Sequence, residues 1–188
     1  MKTTQVKLKS ISPYSQGRYH ETPKKDKELP KDYELRTWRE KMHTLPETGQ
    51  VFIPPMSFAI SIKEAAKYLN IQIPGKGKST FTKNFDAGIM VMEPLLIDAY
   101  KDSVECENVF VPSDGRRGGT TRVMKSFPVI HKWEGTVNYF ILDDIITEEV
   151  FKMVLAASGQ LIGIGRFRPR NCGYYGMFEI VSIKWNEK

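Results

Sequence analysis

The pattern of apolar and polar positions along the chain predicts four strands that could share one sheet. Apolar and polar residues alternate over residues 6–11, which is the period of a strand with one buried face. The other three segments are strand-sized apolar runs bounded by turn residues, and the first of them is interrupted at Pro94: residues 88–97, 133–142 and 177–185.

Helices are predicted between these strands. Residues 58–70 place apolar side chains at helical spacing, and Ser57 is the expected N-cap. Thr147 is the expected N-cap of a later helix, whose acidic first turn suits the helix dipole and which Gly159 is expected to end. A shorter helix is predicted over residues 32–42.

The order strand, helix, strand, strand, helix, strand predicts an α+β fold with a ferredoxin-like βαββαβ core. At 188 residues the chain suits one domain, residues 1–188. Residues 98–130 interrupt this core with a β-hairpin pattern, in which residues 109–112 and 123–130 flank a turn-rich tip. A glycine-rich loop precedes the last strand.

Composition narrows the class of protein. The chain is 40% hydrophobic and 27% charged, as is usual for a globular domain with a core. No apolar run is long enough to cross a bilayer and no signal-peptide core is present, so we expect a soluble cytoplasmic protein with no membrane partner. Two cysteines, Cys106 and Cys172, supply neither a disulfide framework nor a metal set, and we expect no cofactor.

The formal net charge is +6, and charges of each sign are clustered. Residues 1–44 carry eleven Lys and Arg against six Asp and Glu, whereas residues 143–149 carry four acids and no base. Because the basic clusters fall in predicted loops, they are typical of a protein that binds a polyanion. Basic loops also occur in proteins that bind nothing.

Residues 160–177, QLIGIGRFRPRNCGYYGM, carry the strongest functional signal. Glycine lets backbone approach a ligand, arginine matches phosphate with a planar fork, and tyrosine offers a face for an unstacked base. The segment lacks the groups that catalysis would require, so it favours binding. Its candidate binding residues are Gly163, Gly165, Arg166, Arg168, Arg170, Tyr174 and Tyr175.

Two alternatives stay open for this segment. Its arginines could be merely solvated, and either tyrosine could pack on the core beneath the loop. If the chain is extended here, the three arginines project to one side, although Pro169 would break that register.

Further candidates for phosphate contact lie in other predicted loops: Arg18, Lys76, Lys78, Arg116, Arg117 and Arg122. Lys76 and Lys78 belong to the sequence GKGKST. This is not a Walker A motif, because Gln72 stands where its first glycine is required and Pro74 intrudes. Nucleotide hydrolysis is therefore not expected.

These features together resemble the RAMP superfamily of CRISPR-associated proteins. LIGIGRFRPRNCGYYG is similar to the glycine-rich segment that such proteins carry before their last strand, and residues 98–130 stand where their backbone-forming subunits carry a thumb hairpin. FIPPMSFAISI resembles their strand-to-helix junction, with Pro55-Met56 in place of the usual glycine-serine. The SPYSQGR, FIPP, PGKGKST, SDGRRG and GIGRFRP blocks also resemble small stand-alone proteins encoded by bacteriophages.

The resemblance implies a protein that binds single-stranded DNA or RNA along its backbone with little base preference. Copies would form a homo-oligomer along the strand, in the host cytoplasm if the protein is phage-encoded. One alternative is a metal-independent RAMP-type endoribonuclease, for which His20 is the best candidate general acid or base. Another is an anti-CRISPR-like mimic of an effector subunit that binds a host protein.

Overall fold

The computed structural model describes residues 2–113 and 119–186. In chain order the strands are β1 Lys2–Ser10, β2 Tyr14–Ser15, β3 Gln50–Ile53, β4 Ile89–Val91, β5 Leu95–Tyr100, β6 Glu105–Pro112, β7 Arg122–Ile130, β8 Glu134–Ile141 and β9 Phe178–Asn186. The α-helices are α1 Pro30–Thr37, α2 Pro55–Leu69, α3 Thr82–Gly88 and α4 Glu148–Ala157. The predicted α+β composition is confirmed.

The central sheet has the strand order β4-β8-β1-β9, and each neighbouring pair is antiparallel. The alternation predicted for β1 is confirmed, since Val6 and Leu8 are fully buried while Lys7 is exposed. Helices α2 and α4 contact each other and supply further buried side chains, among them Ile62 and Phe151. The core therefore lies between this sheet and the two helices.

Helix boundaries depart from the prediction at three places. The helix predicted over residues 32–42 is α1, which begins at Pro30, ends at Thr37 and is followed by a 3-10 turn. Helix α2 begins at Pro55, not after Ser57, because proline has the right φ for a first turn and needs no partner for an N–H. Helix α4 begins as predicted, with Thr147 Oγ1 accepting a hydrogen bond from Val150 N. It does not end at Gly159 but continues as a π-helical turn, Ser158–Ile162.

Gly159 stays in this helical turn because it is the point of contact with β9. A Cβ at Gly159 would lie 2.1 Å from the carbonyl oxygen of Phe178. The chain leaves the helix four residues later at Gly163, where φ is +70°. The glycine predicted to stop the helix thus serves close packing, and a later glycine stops it.

The inserted segment forms a longer hairpin than predicted, made of β6 and β7. Strand β7 also pairs with β2, which gives a three-stranded sheet in the order β2-β7-β6. The first residues of the insertion belong instead to β5, which pairs with β3. Residues 114–118, at the tip, lie outside the described residues.

The two ends of the central sheet carry different loops. At one end Ser10 pairs with Phe178, and both the hairpin and the glycine-rich segment lie there. At the other end Lys2 and Ile89 both pair with Ile141. The loop of residues 74–79 lies at that second end, because α3, which follows it, leads directly into β4.

No helix in the described parts of the chain is both long enough and apolar enough to cross a membrane.

Candidate nucleic-acid interface

The glycine-rich segment, residues 163–176, folds back on itself. Ile164 N donates to Gly176 O at 3.0 Å and Tyr175 N donates to Phe167 O at 3.0 Å. Two further hydrogen bonds attach the segment to β2 and to the turn that precedes it, from Arg166 N to Ser15 O and from Gly176 N to Pro13 O. The segment is therefore a compact loop fixed to the Ser10 end of the sheet.

The glycines of this loop allow backbone to pack on backbone. At Gly165 φ is +73°, and a Cβ would lie 2.3 Å from Ser15 O. Gly163 is buried, its N–H donates to Ser158 O, and its carbonyl accepts from Ser61 Oγ at 3.0 Å. The predicted binding glycines thus shape the loop from within, and the peptide groups of Gly163 already have protein partners.

The structure does not bring the three arginines of the loop to one side. Phe167 has a φ of +52° and residues 169–171 form a 3-10 turn, so the chain is not extended here. The guanidinium carbon of Arg166 lies 4.0 Å from the ring centroid of Phe127. Arg168 instead donates from Nη2 to Glu64 Oε1 of α2 at 3.0 Å, which places it in a different part of the surface.

Arg166 lies in a cleft of about 360 Å³ between residues 17–20, α1, the 3-10 turn Trp38–Lys41 that follows it, and the hairpin. We call this the arginine cleft. Its polar and aromatic lining residues are Arg18, Tyr19, His20, Tyr33, Glu34, Lys41, Ser113, Lys125, Phe127 and Arg166.

A cluster of three cations around one carboxylate forms the floor of this cleft. Glu34 is only 4% exposed. Lys41 Nζ lies 2.5 Å from Glu34 Oε2 and Lys125 Nζ lies 2.6 Å from Glu34 Oε1. Arg166 is the third cation, and Lys41 also donates to the carbonyl of Ser126.

The pKa shifts reflect this crowding of positive charge. Burial opposes ionisation of Glu34, but hydrogen bonds from Lys125 and Lys41 outweigh it and lower the pKa of Glu34. Burial lowers the pKa of Lys41, although its hydrogen bond to Glu34 acts in the other direction, and the charges of Lys125 and Arg166 lower it further. Burial likewise lowers the pKa of Arg166.

Positive charge in the cleft therefore exceeds negative charge. An arginine remains protonated in a protein, so Arg166 carries its full charge. Its Nε is buried and has no hydrogen-bond partner among the described residues. Arg18 is exposed at the edge of the same cleft and adds a further cation.

The remaining predicted residues of the loop and the hairpin differ in their exposure. Tyr174 is 62% exposed, whereas Tyr175 is 7% exposed and donates its hydroxyl to the carboxylate of Glu107, so one tyrosine packs under the loop. Arg122 is exposed on the hairpin. Arg116 and Arg117 lie outside the described residues.

Lys76 and Lys78 are far from the arginine cleft along the sheet. Both are exposed in the loop at the Lys2 end. The pKa of Asp143 is lowered by hydrogen bonds from Asn84 and the Ile145 amide and by the charge of Lys76, which places Lys76 near the end of β8. The two lysines therefore do not share a site with Arg166.

Arg168 and Arg170 line a second cleft, of about 610 Å³, beside α2. We call this the α2 cleft, and its lining residues are Glu64, Lys67, Tyr68, Arg168, Arg170 and Asn171. It shares no lining residue with the arginine cleft. Arg168 is already paired with Glu64, so Arg170 is the more available cation here.

Sequence reasoning missed Glu34, Lys41, Lys125 and Phe127. The first two belong to the predicted helical region 32–42, but nothing in the local pattern marks them as buried. Lys125 and Phe127 stand on a strand far along the chain, and only the folded hairpin brings them to Glu34 and Arg166. No short motif signals such a cluster.

His20 also lines the arginine cleft. Its ring stacks on that of Tyr33, with centroids 6.2 Å apart and an interplanar angle of 25°. Its Nδ1 is buried without a hydrogen-bond partner in the described part of the chain. Among the described residues no group of three His, Cys, Asp or Glu side chains is placed to hold a metal ion.

The fold is similar to that of chains in two solved structures. No family model and no curated protein matches the chain. A chain of the cryo-EM structure of the Type III-B Cmr-beta bound to cognate target RNA aligns over 98% of this chain with 11% identity and a TM-score of 0.52. Cmr6 from Pyrococcus furiosus aligns over 95% of this chain and 97% of its own length, with 13% identity and a TM-score of 0.51.

This chain spans 60% of the length of the Cmr-beta chain that it matches. At 11% and 13% identity the likeness concerns the fold alone. It supports the RAMP-like resemblance at that level.

Proposed function

We propose that the chain is a single-stranded nucleic-acid-binding protein that holds backbone phosphate in the arginine cleft, largely without regard to sequence. In this proposal the sheet β4-β8-β1-β9 with α2 and α4 is a ferredoxin-like, RAMP-type core. The observation that carries the proposal is the cluster of Lys41, Lys125 and Arg166 around the single carboxylate of Glu34. A bound phosphate would supply the negative charge that the cluster lacks.

The position of Arg166 supports this role. Its guanidinium stacks on Phe127, which holds the planar group in one orientation and leaves its nitrogen edge for hydrogen bonding. Phosphate oxygens accept charge-assisted hydrogen bonds from the planar fork of an arginine, which suits Arg166 for this contact. The cluster is thus suited to phosphate and not to a cation or a neutral ligand.

Exposed tyrosines near the cleft favour a single strand over a duplex. Tyr19 lines the cleft and is 81% exposed, and Tyr174 is 62% exposed on the adjoining loop. Aromatic side chains stack on unpaired bases, whose faces are covered in a duplex. RNA is the first candidate, because one structure with a similar fold has target RNA bound.

The other predicted residues take lesser parts in this proposal. Gly163 and Gly165 shape the loop that presents Arg166. Arg122 extends the positive surface along the hairpin, whereas Arg170 lies in the separate α2 cleft and contributes only general positive charge. Copies of the chain would bind side by side along a long strand as a homo-oligomer.

Fluorescence anisotropy with a labelled 12-nucleotide RNA tests the proposal, with the same sequence as single-stranded DNA and as duplex for comparison. Binding should weaken as salt rises, with a slope of about 0.7 per phosphate contact for a single strand. Arg18→Ala should weaken binding and reduce that slope. Arg170→Ala, which also removes one exposed arginine, is the matched control and should have a smaller effect.

Two results would contradict the proposal. One is failure to bind any of the three nucleic acids at low salt. The other is an equal loss from Arg18→Ala and Arg170→Ala, which would mean that net charge alone, and not the arginine cleft, determines affinity.

The position of His20 favours one alternative, a metal-independent endoribonuclease. A histidine beside a phosphate-binding cluster can transfer a proton to or from a ribose hydroxyl or a leaving oxygen. Incubation of labelled RNA with the protein in EDTA tests this. His43 does not line the cleft, so His43→Ala is the control. Cleavage that is lost in His20→Ala and kept in His43→Ala would establish nuclease activity, and recovery of intact RNA would exclude it under those conditions.

A further inference from the structure

Phe127 lies between two cavities and lines both of them. One of its neighbours is the arginine cleft, and the other is a slot of about 280 Å³ between the hairpin and the glycine-rich loop. We call this the aromatic slot, and define it by Glu107, Val109, Phe127, Phe167, Tyr174 and Tyr175. Pockets for drug-sized ligands start at about 300 Å³, so this slot suits a group no larger than a single ring system.

The aromatic side chains of the slot form a connected series. Phe127 and Phe167 meet edge to face with ring centroids 5.5 Å apart, and Phe167 and Tyr175 do the same at 6.0 Å. Tyr174 continues the series at 4.6 Å from Tyr175 and is largely exposed. Phe127 and Tyr175 are buried, so Tyr174 is the ring of this series that is most exposed to a ligand in the slot.

One carboxylate lies in this largely apolar surface. Glu107 is exposed, and its Oε2 accepts the hydroxyl hydrogen of Tyr175. Burial and the hydrogen bond to Glu107 raise the pKa of Tyr175, so the phenol stays protonated and continues to donate. The hydrogen bond from Tyr175 uses Oε2 and leaves Oε1 of the exposed Glu107 for a ligand.

We propose that the aromatic slot holds one unstacked base of the bound strand and that Glu107 makes this one position prefer guanine, while the rest of the strand is bound without regard to sequence. The inference rests on the proposed function, since the phosphate of the same nucleotide would lie in the arginine cleft on the other side of Phe127. An ionised carboxylate only accepts hydrogen bonds. Guanine presents two adjacent donors, N1–H and the 2-amino group, on the edge that a carboxylate can bind.

The other bases fit Glu107 less well. Adenine and cytosine present one amino group beside a ring nitrogen acceptor. Uracil presents one N–H between two carbonyl oxygens, which the carboxylate repels. The order of preference should therefore be guanine first, adenine and cytosine next, and uracil last.

The first test compares nine-nucleotide RNAs that consist of uridine except for one central G, A or C, with the all-uridine RNA as reference. The RNA with guanine should bind roughly five- to a hundredfold more tightly than the reference, the range expected for one well-formed bidentate base contact. Glu107→Gln should abolish this preference, so that the RNA with guanine and the all-uridine RNA bind with affinities within about twofold of each other.

The matched control is Glu105→Gln. It removes a carboxylate from the same strand, two residues away, where Glu105 pairs with His131 and not with the slot. Glu105→Gln should keep the preference for guanine. If both variants keep it, or if both lose it, Glu107 is not the selecting group.

A second measurement needs no change at Glu107. Cys172 is exposed and lines the slot, so a bound base should slow its alkylation in a Cys106→Ser background. The RNA with guanine should protect Cys172 more than the all-uridine RNA when both are present at saturation. Equal binding of all four RNAs with no protection of Cys172 would disprove base binding in the slot but not the proposed function. Failure to bind any RNA would disprove both.

Discussion

Arg166 and Phe127 are joined by a stacking contact of 4.0 Å between the guanidinium carbon and the ring centroid. Arg166 belongs to the glycine-rich loop and Phe127 to the hairpin, so this contact unites the two segments that most distinguish the chain. Lys41 also lies over the same ring, at 4.6 Å. Two cations on one ring, with a single carboxylate nearby, leave a site that an anion would stabilise.

Glu34→Gln should lower stability and raise affinity for nucleic acid. The substitution leaves the buried Lys41 without its counter-charge, and breaking a buried ion pair in this way costs about 3 kcal/mol or more. The same change removes the negative charge that competes with phosphate. Urea denaturation and RNA binding measured on one preparation would check both directions.

The matched control for this change is Glu40→Gln, because Glu40 pairs with the partly exposed Lys101. A surface pair contributes about 0–1 kcal/mol, so the control should be nearly neutral. Equal losses of stability in the two variants would show that Glu34 is not a buried structural partner.

The stability difference between the wild type and Glu34→Gln should depend on pH. The pKa of Glu34 is lower in the folded protein than in the unfolded chain, so its ionised form stabilises the fold. This contribution is fully present above the unfolded pKa of about 4.3 and is lost as the pH falls through the folded value. Urea titrations at pH 7, 5 and 3.5 should show the difference shrinking at the lowest pH, and a constant difference would contradict the pairing.

Gly165→Ala should be much more destabilising than Gly75→Ala. The two glycines have almost the same φ, +73° and +74°, so both alanines meet the cost of a left-handed backbone, about 1–2 kcal/mol. Only at Gly165 would the Cβ also collide with Ser15 O, since nothing lies within 4 Å of a Cβ at Gly75. The difference between the two variants in free energy of unfolding, measured in urea, therefore reports the collision of the Cβ with Ser15 O. Equal losses of stability would disprove this collision.

Shortening the hairpin tip should weaken nucleic-acid binding without harming the fold. Ser113 N donates to Thr121 O at 2.9 Å, so residues 114–120 can be replaced by the two-residue turn Asn-Gly across an existing hydrogen bond. Loss of Arg116 and Arg117 should reduce the salt slope by about 1.4, at 0.7 per phosphate. Full-length protein with both arginines changed to alanine is the control, and a smaller loss in that variant would mean that tip length matters as well as charge.

The two cysteines should react with a thiol reagent at different rates. Cys172 is exposed, whereas Cys106 is partly covered. Burial also raises the pKa of Cys106, so a smaller fraction of this thiol is ionised at pH 8 than in a cysteine with the ordinary pKa. A disulfide reagent followed by absorbance should give a fast and a slow phase. Cys172→Ser should remove the fast phase, and loss of the slow phase instead would reverse the assignment.

The sequence predicted the elements whose signals are local. Alternation identified β1, Thr147 identified the start of α4, and glycine and proline bounded the hairpin, because each of these depends on residues within a few positions. The predictions at Ser57 and Gly159 were wrong for a related reason. Proline supplied an earlier helix start, and contact of Gly159 with β9 outweighed its tendency to end a helix.

The candidate site was only partly predictable. Composition and the GIGRFRP block identified Arg166, but the expectation that Arg168 and Arg170 lie beside it assumed an extended chain, and the left-handed backbone at Phe167 separates them. The partners of Arg166 come from α1 and β7, at positions that look ordinary in sequence. Contacts between segments that are distant in sequence produce no periodic pattern along the chain, so they are seen only in the folded structure.

The internal hydrogen bonds of the glycine-rich loop have an energetic consequence. Its amides are already hydrogen-bonded to Pro13, Ser15 and Ser158, so the loop is ordered before a ligand binds. The loss of its conformational entropy belongs to folding and not to binding. Association then carries little ordering cost in this loop, and more of the electrostatic attraction is available as affinity.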